Sequence, residues 1–149
     1  MTKLTFLMTL LTAFVVSCGA REAGSRKIHS TDAVYPAAGP YSQMVQVNNL
    51  YFLSGVIPLN SQGSAIQGDD IEGQTRQVIE YIAAKLESQN MSLENVVMSN
   101  VYMTDLSEVG AMNRVYGEYF SVRPPARATV GVSSLPRGVK VEISVIASK

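Results

Sequence analysis

The last quarter of the chain holds two stretches in which apolar and polar side chains alternate, and this pattern constrains the fold more than any other. Residues 126–132 place Arg127 on one face and apolar side chains on the other, and residues 139–146 do the same with Glu142. A period of two is typical of strands that bury one face. We therefore expect two strands, with Arg127 and Glu142 leaving the apolar layer together.

The arginine and the glutamate have two interpretations. A guanidinium group can bind a small carboxylate at two points, and a glutamate can orient or deprotonate a water molecule. Equally, the two charges can form a surface ion pair or a solvated strand face, because exposed charges on strands are common. The spacing alone leaves both interpretations open.

The preceding chain alternates short strand patterns with two helical patterns. A hairpin is predicted around Asn48 and Asn49, and Asp69 is predicted to cap a helix with Glu72 at its third position. The predicted order is strands at 44–48 and 50–54, a helix with an apolar stripe over 71–86, a strand at 96–103, a helix lined over 109–120, and the two final strands. This order favours an α+β fold in which a mixed sheet carries two helices on one face.

Composition and charge exclude several classes of function. With 149 residues, 46% hydrophobic and 16% charged, the chain is expected to form one globular domain with a short appendage. The formal net charge is zero, which argues against a nucleic-acid partner, because such a surface needs clustered Lys and Arg. The single histidine, His29, has no cluster of further ligands around it in the sequence, so neither a metal site nor a Ser-His-Asp triad is expected.

The N-terminus is similar to a bacterial export signal. Lys3 precedes an apolar run at 4–16, too short to cross a bilayer, which takes roughly 20 residues. The run ends in Val-Val-Ser-Cys, similar to a lipobox with Cys18 as the lipidated residue. The predicted organisation is a signal peptide at 1–17, a lipidated cysteine and tether at 18–27, and a domain at 28–149. The alternatives are a plain secretory signal and a buried N-terminal thiol.

The lipobox interpretation also predicts a location. The protein is expected to be exported and held at the membrane of the cell envelope by its lipid anchor. In a bacterium with two membranes, Gly19 after the cysteine favours the outer membrane, with the domain facing the periplasm.

Five parts of the chain resemble, in order and approximate spacing, the motifs of the RidA family, also called YjgF. Members of that family are enamine and imine deaminases. The resemblance runs from about Ile28 to the C-terminus. The matching segments are 39–43, 53–58, 74–77, 113–120, and 123–129 together with 135–143.

The resemblance implies a chorismate-mutase-like fold, a homotrimer, and active sites in the clefts between subunits. Arg127 would hold the substrate carboxylate, and Glu142 would hold the attacking water. The other residues implied in substrate binding are Tyr41, from a neighbouring subunit, and Ser54, Gly55, Asn113 and Thr129.

The predicted order of elements adds an expectation about the trimer. No helix is left over to cover the strand face that carries Arg127, Thr129 and Gly131. We therefore expect that face to meet other subunits.

The reaction implied by the resemblance is hydrolysis of small 2-imino or 2-enamino acids to 2-oxo acids and ammonia. A 2-imino acid is already electrophilic, so positioning the substrate and a water suffices, and no metal or cofactor is expected. The alternative is a non-catalytic ligand-binding or chaperone-like trimer at the cell envelope, because reactive enamines are typically made in the cytosol, away from an anchored protein.

Overall fold

A computed structural model describes residues 25–149 of the chain. The predicted signal peptide, Cys18 and most of the predicted tether lie outside the described residues. The first strand already includes Arg26 and Lys27, which pair with Val47 and Gln46. The folded domain therefore begins before Ile28, within the segment predicted as tether.

One six-stranded sheet and two helices make up the fold. The elements are β1 (Arg26–His29), β2 (Met44–Val47), β3 (Leu50–Val56), α1 (Ile71–Glu87), β4 (Val96–Met103), α2 (Val109–Tyr119), β5 (Ala126–Gly131) and β6 (Val141–Ser148). The sheet order is β1-β2-β3-β6-β4-β5. All neighbours are antiparallel except β4 and β5, which α2 connects in parallel. The predicted mixed sheet with two helices is confirmed.

The first helix begins one residue later than predicted. Asp70, with an extended backbone, accepts a hydrogen bond from the Gly73 backbone nitrogen at 2.8 Å. This contact satisfies one of the free N–H groups of the first turn. The prediction of Asp69 as the cap is wrong, because the adjacent aspartate takes that position. Glu72 forms an ion pair with Arg114 of α2 instead of completing a capping box.

The two helices cover one face of the sheet. Val141, Ile143 and Val145 of β6 are all buried and form part of the apolar core beneath the helices. The opposite face, here called the open face, carries Phe52, Tyr102, Val130, Glu142 and Ser144. Phe52 and Val130 are 41% and 45% exposed, which is high for large apolar side chains in a sheet.

The register of β5 corrects one expectation. Arg127 aligns with Ser99 of β4, which in turn aligns with the buried Val145, so Arg127 lies on the helix side. Glu142 aligns with Tyr102, and Tyr102 with Val130, on the open face. Side chains of directly paired residues lie on the same face of a sheet. The prediction that Arg127 and Glu142 leave the apolar layer together is therefore wrong.

The face of β5 expected to lack helical cover is in fact partly covered. A Cβ atom on Gly131 would lie 3.1 Å from Leu106, in the turn before α2, and the Arg127 guanidinium lies over Tyr116 of α2. Alternation within a strand defines two faces, but the pairing with β4 decides which one packs on helices. The surface available to other subunits is therefore the open face.

Within residues 25–149, no helix is long and apolar enough to cross a membrane.

Candidate active site

A cavity of about 430 Å³ opens where β3 and β6 run side by side. We call it the Glu142 cavity. It brings together four of the predicted site residues, Tyr41, Ser54, Gly55 and Glu142, in a single chain. Its full lining is Tyr35, Ala38, Tyr41, Ser54, Gly55, Ile57, Leu59, Pro136, Arg137 and Glu142.

Glu142 lies directly over the backbone of Gly55. The pairing of β3 with β6 shifts register between Leu53 and Val56, and Gly55 occupies this irregular stretch. A Cβ atom on Gly55 would lie 2.8 Å from Glu142 Cδ and closer still to Oε1. Only glycine therefore leaves room for the carboxylate in this position.

The Glu142 carboxylate is suited to accept and return a proton. Within residues 25–149 it forms no ion pair, and burial raises its pKa above the ordinary value for a glutamate. Burial disfavours the charged form because the low-dielectric surroundings solvate a carboxylate less well than water does. A raised pKa brings a carboxylic acid closer to the neutral range in which a general acid–base works best.

Tyr35 is a cavity residue that sequence reasoning missed. Its hydroxyl accepts a hydrogen bond from the Ile57 backbone nitrogen at 2.9 Å, and its ring packs edge-on against Tyr81. Burial raises the pKa of Tyr35 to about 12. The hydroxyl therefore keeps its proton at neutral pH and has that proton free to donate into the cavity.

Tyr41 and Ser54 also line the cavity. The Tyr41 side chain is exposed, and its hydroxyl accepts a hydrogen bond from the Ala38 backbone nitrogen at 3.3 Å. Ser54 donates its hydroxyl to the Ser42 carbonyl at 2.6 Å, which holds the loop carrying Tyr41 against β3. Tyr41 and Glu142 of one chain thus line the same cavity.

Arg127 and Thr129 lie away from the Glu142 cavity, on the other face of the sheet. The Arg127 guanidinium lies 4.7 Å from the centre of the Tyr116 ring, a cation–π distance. The hydroxyls of Ser99, Tyr116 and Thr129 are buried on the same side of the sheet. Arg127 is thus presented from a polar patch at the sheet edge, with its own donors available.

Asn113 also lies outside the cavity. It is exposed on α2, three residues before Tyr116 and so on a neighbouring part of the helix surface. Within one chain the predicted residues therefore divide into a group around Glu142 and a group around Arg127. No part of residues 25–149 gathers three or more His, Cys, Asp or Glu side chains in a metal-binding arrangement.

The Glu142 cavity continues onto the open face. A more open groove of about 490 Å³ shares Gly55, Pro136 and Glu142 with it and extends to Tyr102 and Ser144. Glu142 therefore lies between the cavity of its own chain and the surface left uncovered by the helices.

The fold agrees with that of known proteins that the chain matches. Residues 31–149 match the family model described as Endoribonuclease L-PSP. The chain belongs to the endoribonuclease L-PSP family. The match covers the domain from the segment after β1 to the C-terminus, so it includes every element of the Glu142 cavity and of the Arg127 group.

Individual members of the endoribonuclease L-PSP family are closely similar to this chain. A RutC family protein of Saccharolobus solfataricus is 46% identical over 83% of this chain and 98% of that protein. The Reactive Intermediate Deaminase A of Arabidopsis thaliana chloroplasts is 35% identical over 83% of this chain and 66% of that protein. The crystal structure of Escherichia coli TdcF with bound serine superposes with a TM-score of 0.77 at 33% identity, covering 83% of this chain and 98% of that one.

Proposed function

We propose that this protein hydrolyses small 2-imino and 2-enamino acids to 2-oxo acids and ammonia. The observation that carries the proposal is the Glu142 carboxylate, which has no ion-pair partner within residues 25–149, has a raised pKa and is held over Gly55 in a cavity. The similarity to a protein named Reactive Intermediate Deaminase A supports this reaction class.

The proposed chemistry needs one acid–base group and one anchor. Arg127 binds the substrate carboxylate, which places the C=N carbon beside Glu142. Glu142 takes a proton from water as the water oxygen attacks that carbon, and the proton passes to the nitrogen to form a carbinolamine. Glu142 then moves the hydroxyl proton of the carbinolamine to the nitrogen, the C–N bond breaks as the C=O bond forms, and ammonia leaves. Water and imine are consumed in equal amounts, and nothing is oxidised or reduced.

A complete site requires two chains in this proposal. Arg127 and Glu142 lie on opposite faces of one sheet, so one small substrate cannot touch both within a chain. The open face offers exposed Phe52 and Val130 for packing against other copies. A closed homotrimer buries the open face of each of its three chains. It also brings Arg127 of one chain to the Glu142 cavity of the next.

Arg127→Lys and Glu142→Gln should cause different kinds of damage. Lysine keeps the charge but loses the two-point grip, so Arg127→Lys should raise KM by about tenfold or more. Glutamine keeps the shape but cannot exchange a proton, so Glu142→Gln should lower kcat by about 10²- to 10⁴-fold. The measurement is 2-iminopropionate consumption above the spontaneous rate. Wild-type rates in both variants would rule out this pair.

Mixing the two variants tests the division of the site between chains. If the chains are unfolded and reassembled together, about one site in four should combine an intact Arg127 with an intact Glu142 and regain activity. Light scattering should show that the mixture and each variant are trimers. Absence of any recovery in properly mixed trimers would place both residues in one chain's site.

A non-catalytic ligand-binding trimer is the second candidate. The relative TdcF was crystallised with bound serine, an amino acid with the carboxylate that Arg127 is proposed to hold. This candidate predicts saturable binding of a 2-oxo acid with no acceleration of imine hydrolysis. Glu142→Gln would then leave the binding of the 2-oxo acid unchanged.

Envelope attachment through Cys18 remains part of the proposal. Two or more acyl chains on one cysteine give stable membrane attachment, whereas an unmodified chain has no such anchor. We expect Cys18→Ser to move the full-length protein from the membrane fraction to the soluble fraction, or to leave its precursor uncut. A wild-type protein already in the soluble fraction would contradict the lipid anchor.

A further inference from the structure

Arg137 lies at the Glu142 cavity and has no assigned role in the reaction. It occupies the short 3₁₀ turn Pro136–Gly138 that leads into β6, and its φ of 60° is in the left-handed region. A side chain other than glycine is strained in this region, and such residues cluster at functional sites. The turn therefore holds Arg137 at the cavity at some energetic cost.

The Arg137 guanidinium is largely uncommitted. Its one hydrogen bond is long, 3.4 Å from Nη1 to the Ser64 carbonyl, although the group carries five N–H donors. Arg76, Arg114 and Arg123 each pair with a carboxylate, whereas Arg137 pairs with none among residues 25–149. Its charge is exposed and free to bind an anion that enters the cavity.

Glu142 is not that anion. No nitrogen of Arg137 lies within 4.0 Å of the Glu142 carboxylate, although both residues line the same cavity. The pKa of Glu142 is raised by burial, and no cation acts to lower it. The cavity thus contains a proton-accepting carboxylate and a separate, unpaired cation.

The cavity between these two groups is larger than the smallest substrates need. Its volume is about 430 Å³, and apolar side chains, including Ile57 and Leu59, line the space that Arg137 and Glu142 share. The methyl group of 2-iminopropionate can pair neither with the charge of Arg137 nor with its N–H donors. A longer side chain ending in a negative charge would use both the apolar wall and the cation.

We propose that Arg137 is a specificity-determining residue that binds the distal carboxylate of four- or five-carbon dicarboxylic 2-imino acids. This inference rests on the proposed function and names the substrate class for that site. Arg127 of a neighbouring chain holds the carboxylate next to the imine, Glu142 activates the water, and Arg137 selects the far end of the substrate. The hydrolysis step is unchanged and yields a dicarboxylic 2-oxo acid and ammonia.

The kinetic test compares two imines on wild-type protein and Arg137→Gln. The substrates are 2-iminoglutarate and 2-iminopropionate, each generated by an amino acid oxidase and followed as loss above the spontaneous rate. Because a charge-assisted hydrogen bond contributes about 1.5–3 kcal/mol, wild type should favour 2-iminoglutarate by about tenfold or more in kcat/KM. Arg137→Gln should remove that preference and change 2-iminopropionate hydrolysis less than about twofold.

A matched variant controls for the loss of a surface charge. Arg123→Gln also removes an exposed arginine, one whose 3.9 Å pair with Glu94 lies away from the cavity lining. It should leave the preference intact. Equal loss of both substrates in Arg137→Gln would overturn the proposal, because it would make Arg137 the anchor of the carboxylate next to the imine.

Binding provides a readout that does not depend on catalysis. Calorimetry should show that 2-oxoglutarate binds wild type more tightly than 2-oxobutanoate does, and that Arg137→Gln removes the difference. Equal affinities in wild type would overturn the distal-carboxylate site even if imine hydrolysis is observed. A clear preference for 2-oxoglutarate without any hydrolysis would instead contradict the proposed function and leave the specificity site supported.

Discussion

Gly55→Ala is expected to reduce imine hydrolysis by about 100-fold or more while the protein stays folded. The added methyl group would occupy the position of the Glu142 carboxylate, 2.8 Å from its Cδ atom. The carboxylate is the free end of a flexible side chain, so it can rotate away at little cost to stability. A carboxylate that has rotated away, however, no longer lies over the substrate. The measurement is kcat/KM for 2-iminopropionate, together with the circular dichroism spectrum and the melting temperature.

Two further variants show whether Gly55→Ala acts through Glu142. Gly117→Ala adds the same methyl group within α2, where it meets nothing within 4 Å, and should keep full activity with a small gain in stability. In a Glu142→Gln background, Gly55→Ala should cost little additional activity, because both changes remove the same group. Fully additive losses would show that Gly55 acts on the reaction by another route.

Lys85→Met is expected to stabilise the folded state by about 3 kcal/mol at pH 7. Lys85 lies on α1 with only 4% of its surface exposed, and it has no ion-pair partner among residues 25–149. Burial lowers its pKa from the ordinary 10.5 to about 8. Methionine has a similar length and helix propensity and requires no solvation of a charge.

The pH dependence of this gain has a definite sign. Below pH 8 the folded state carries the full cost of an unfavourably placed ammonium group, so the gain from methionine is largest there. Between about 8 and 10.5 the unfolded lysine binds more protons than the folded one, so wild-type stability rises with pH. Above 10.5 both states are neutral and the electrostatic part of the gain disappears.

Urea denaturation at pH 7 and pH 10.5 measures the effect of Lys85→Met. Lys27→Met on the exposed strand β1 is the matched control and should change stability by less than about 0.5 kcal/mol. A Lys85→Met variant no more stable than wild type at pH 7 would show that the Lys85 ammonium group reaches water or a partner in solution.

Local periodicity predicts most of the secondary structure, because the apolar pattern repeats several times within each helix or strand. The 96–103 strand, the hairpin at Asn48 and Asn49, and the apolar stripes of both helices appear where predicted. Strand β1 was missed because its four residues are mostly charged or exposed, and its pairing with β2 defines it. No pattern within such a short segment indicates a strand.

The faces of the sheet could not be predicted from alternation alone. Ala128 and Val130 are apolar, so they were expected to face the helices, yet pairing with β4 places Val130 beside Tyr102 on the open face. An apolar side chain that faces away from the core of its own chain signals an interface rather than an interior. Alternation in the sequence indicates that a side chain is buried. It does not indicate whether the helices of the same chain or another subunit bury it.

The sequence predicted several residues of the candidate site but not how they are arranged in space. Gly55 and Glu142 come together through a register shift between β3 and β6, a contact over 87 positions that no local pattern encodes. Tyr35 and Arg137 were missed because both lie in irregular segments without a period. Positive φ at Arg137 is visible only once the backbone is known.

The placement of Arg127 and Glu142 on opposite faces has a consequence for how the protein becomes active. On the proposed function, every newly made chain carries one half of each of two different sites. It therefore has no activity until it assembles with other copies of itself. Activity should therefore fall faster than protein concentration on dilution below the assembly threshold. An assembled chain that lacks both residues would disable two of the three sites of a trimer, so mixing such chains with intact ones should lower activity more than in proportion to their share.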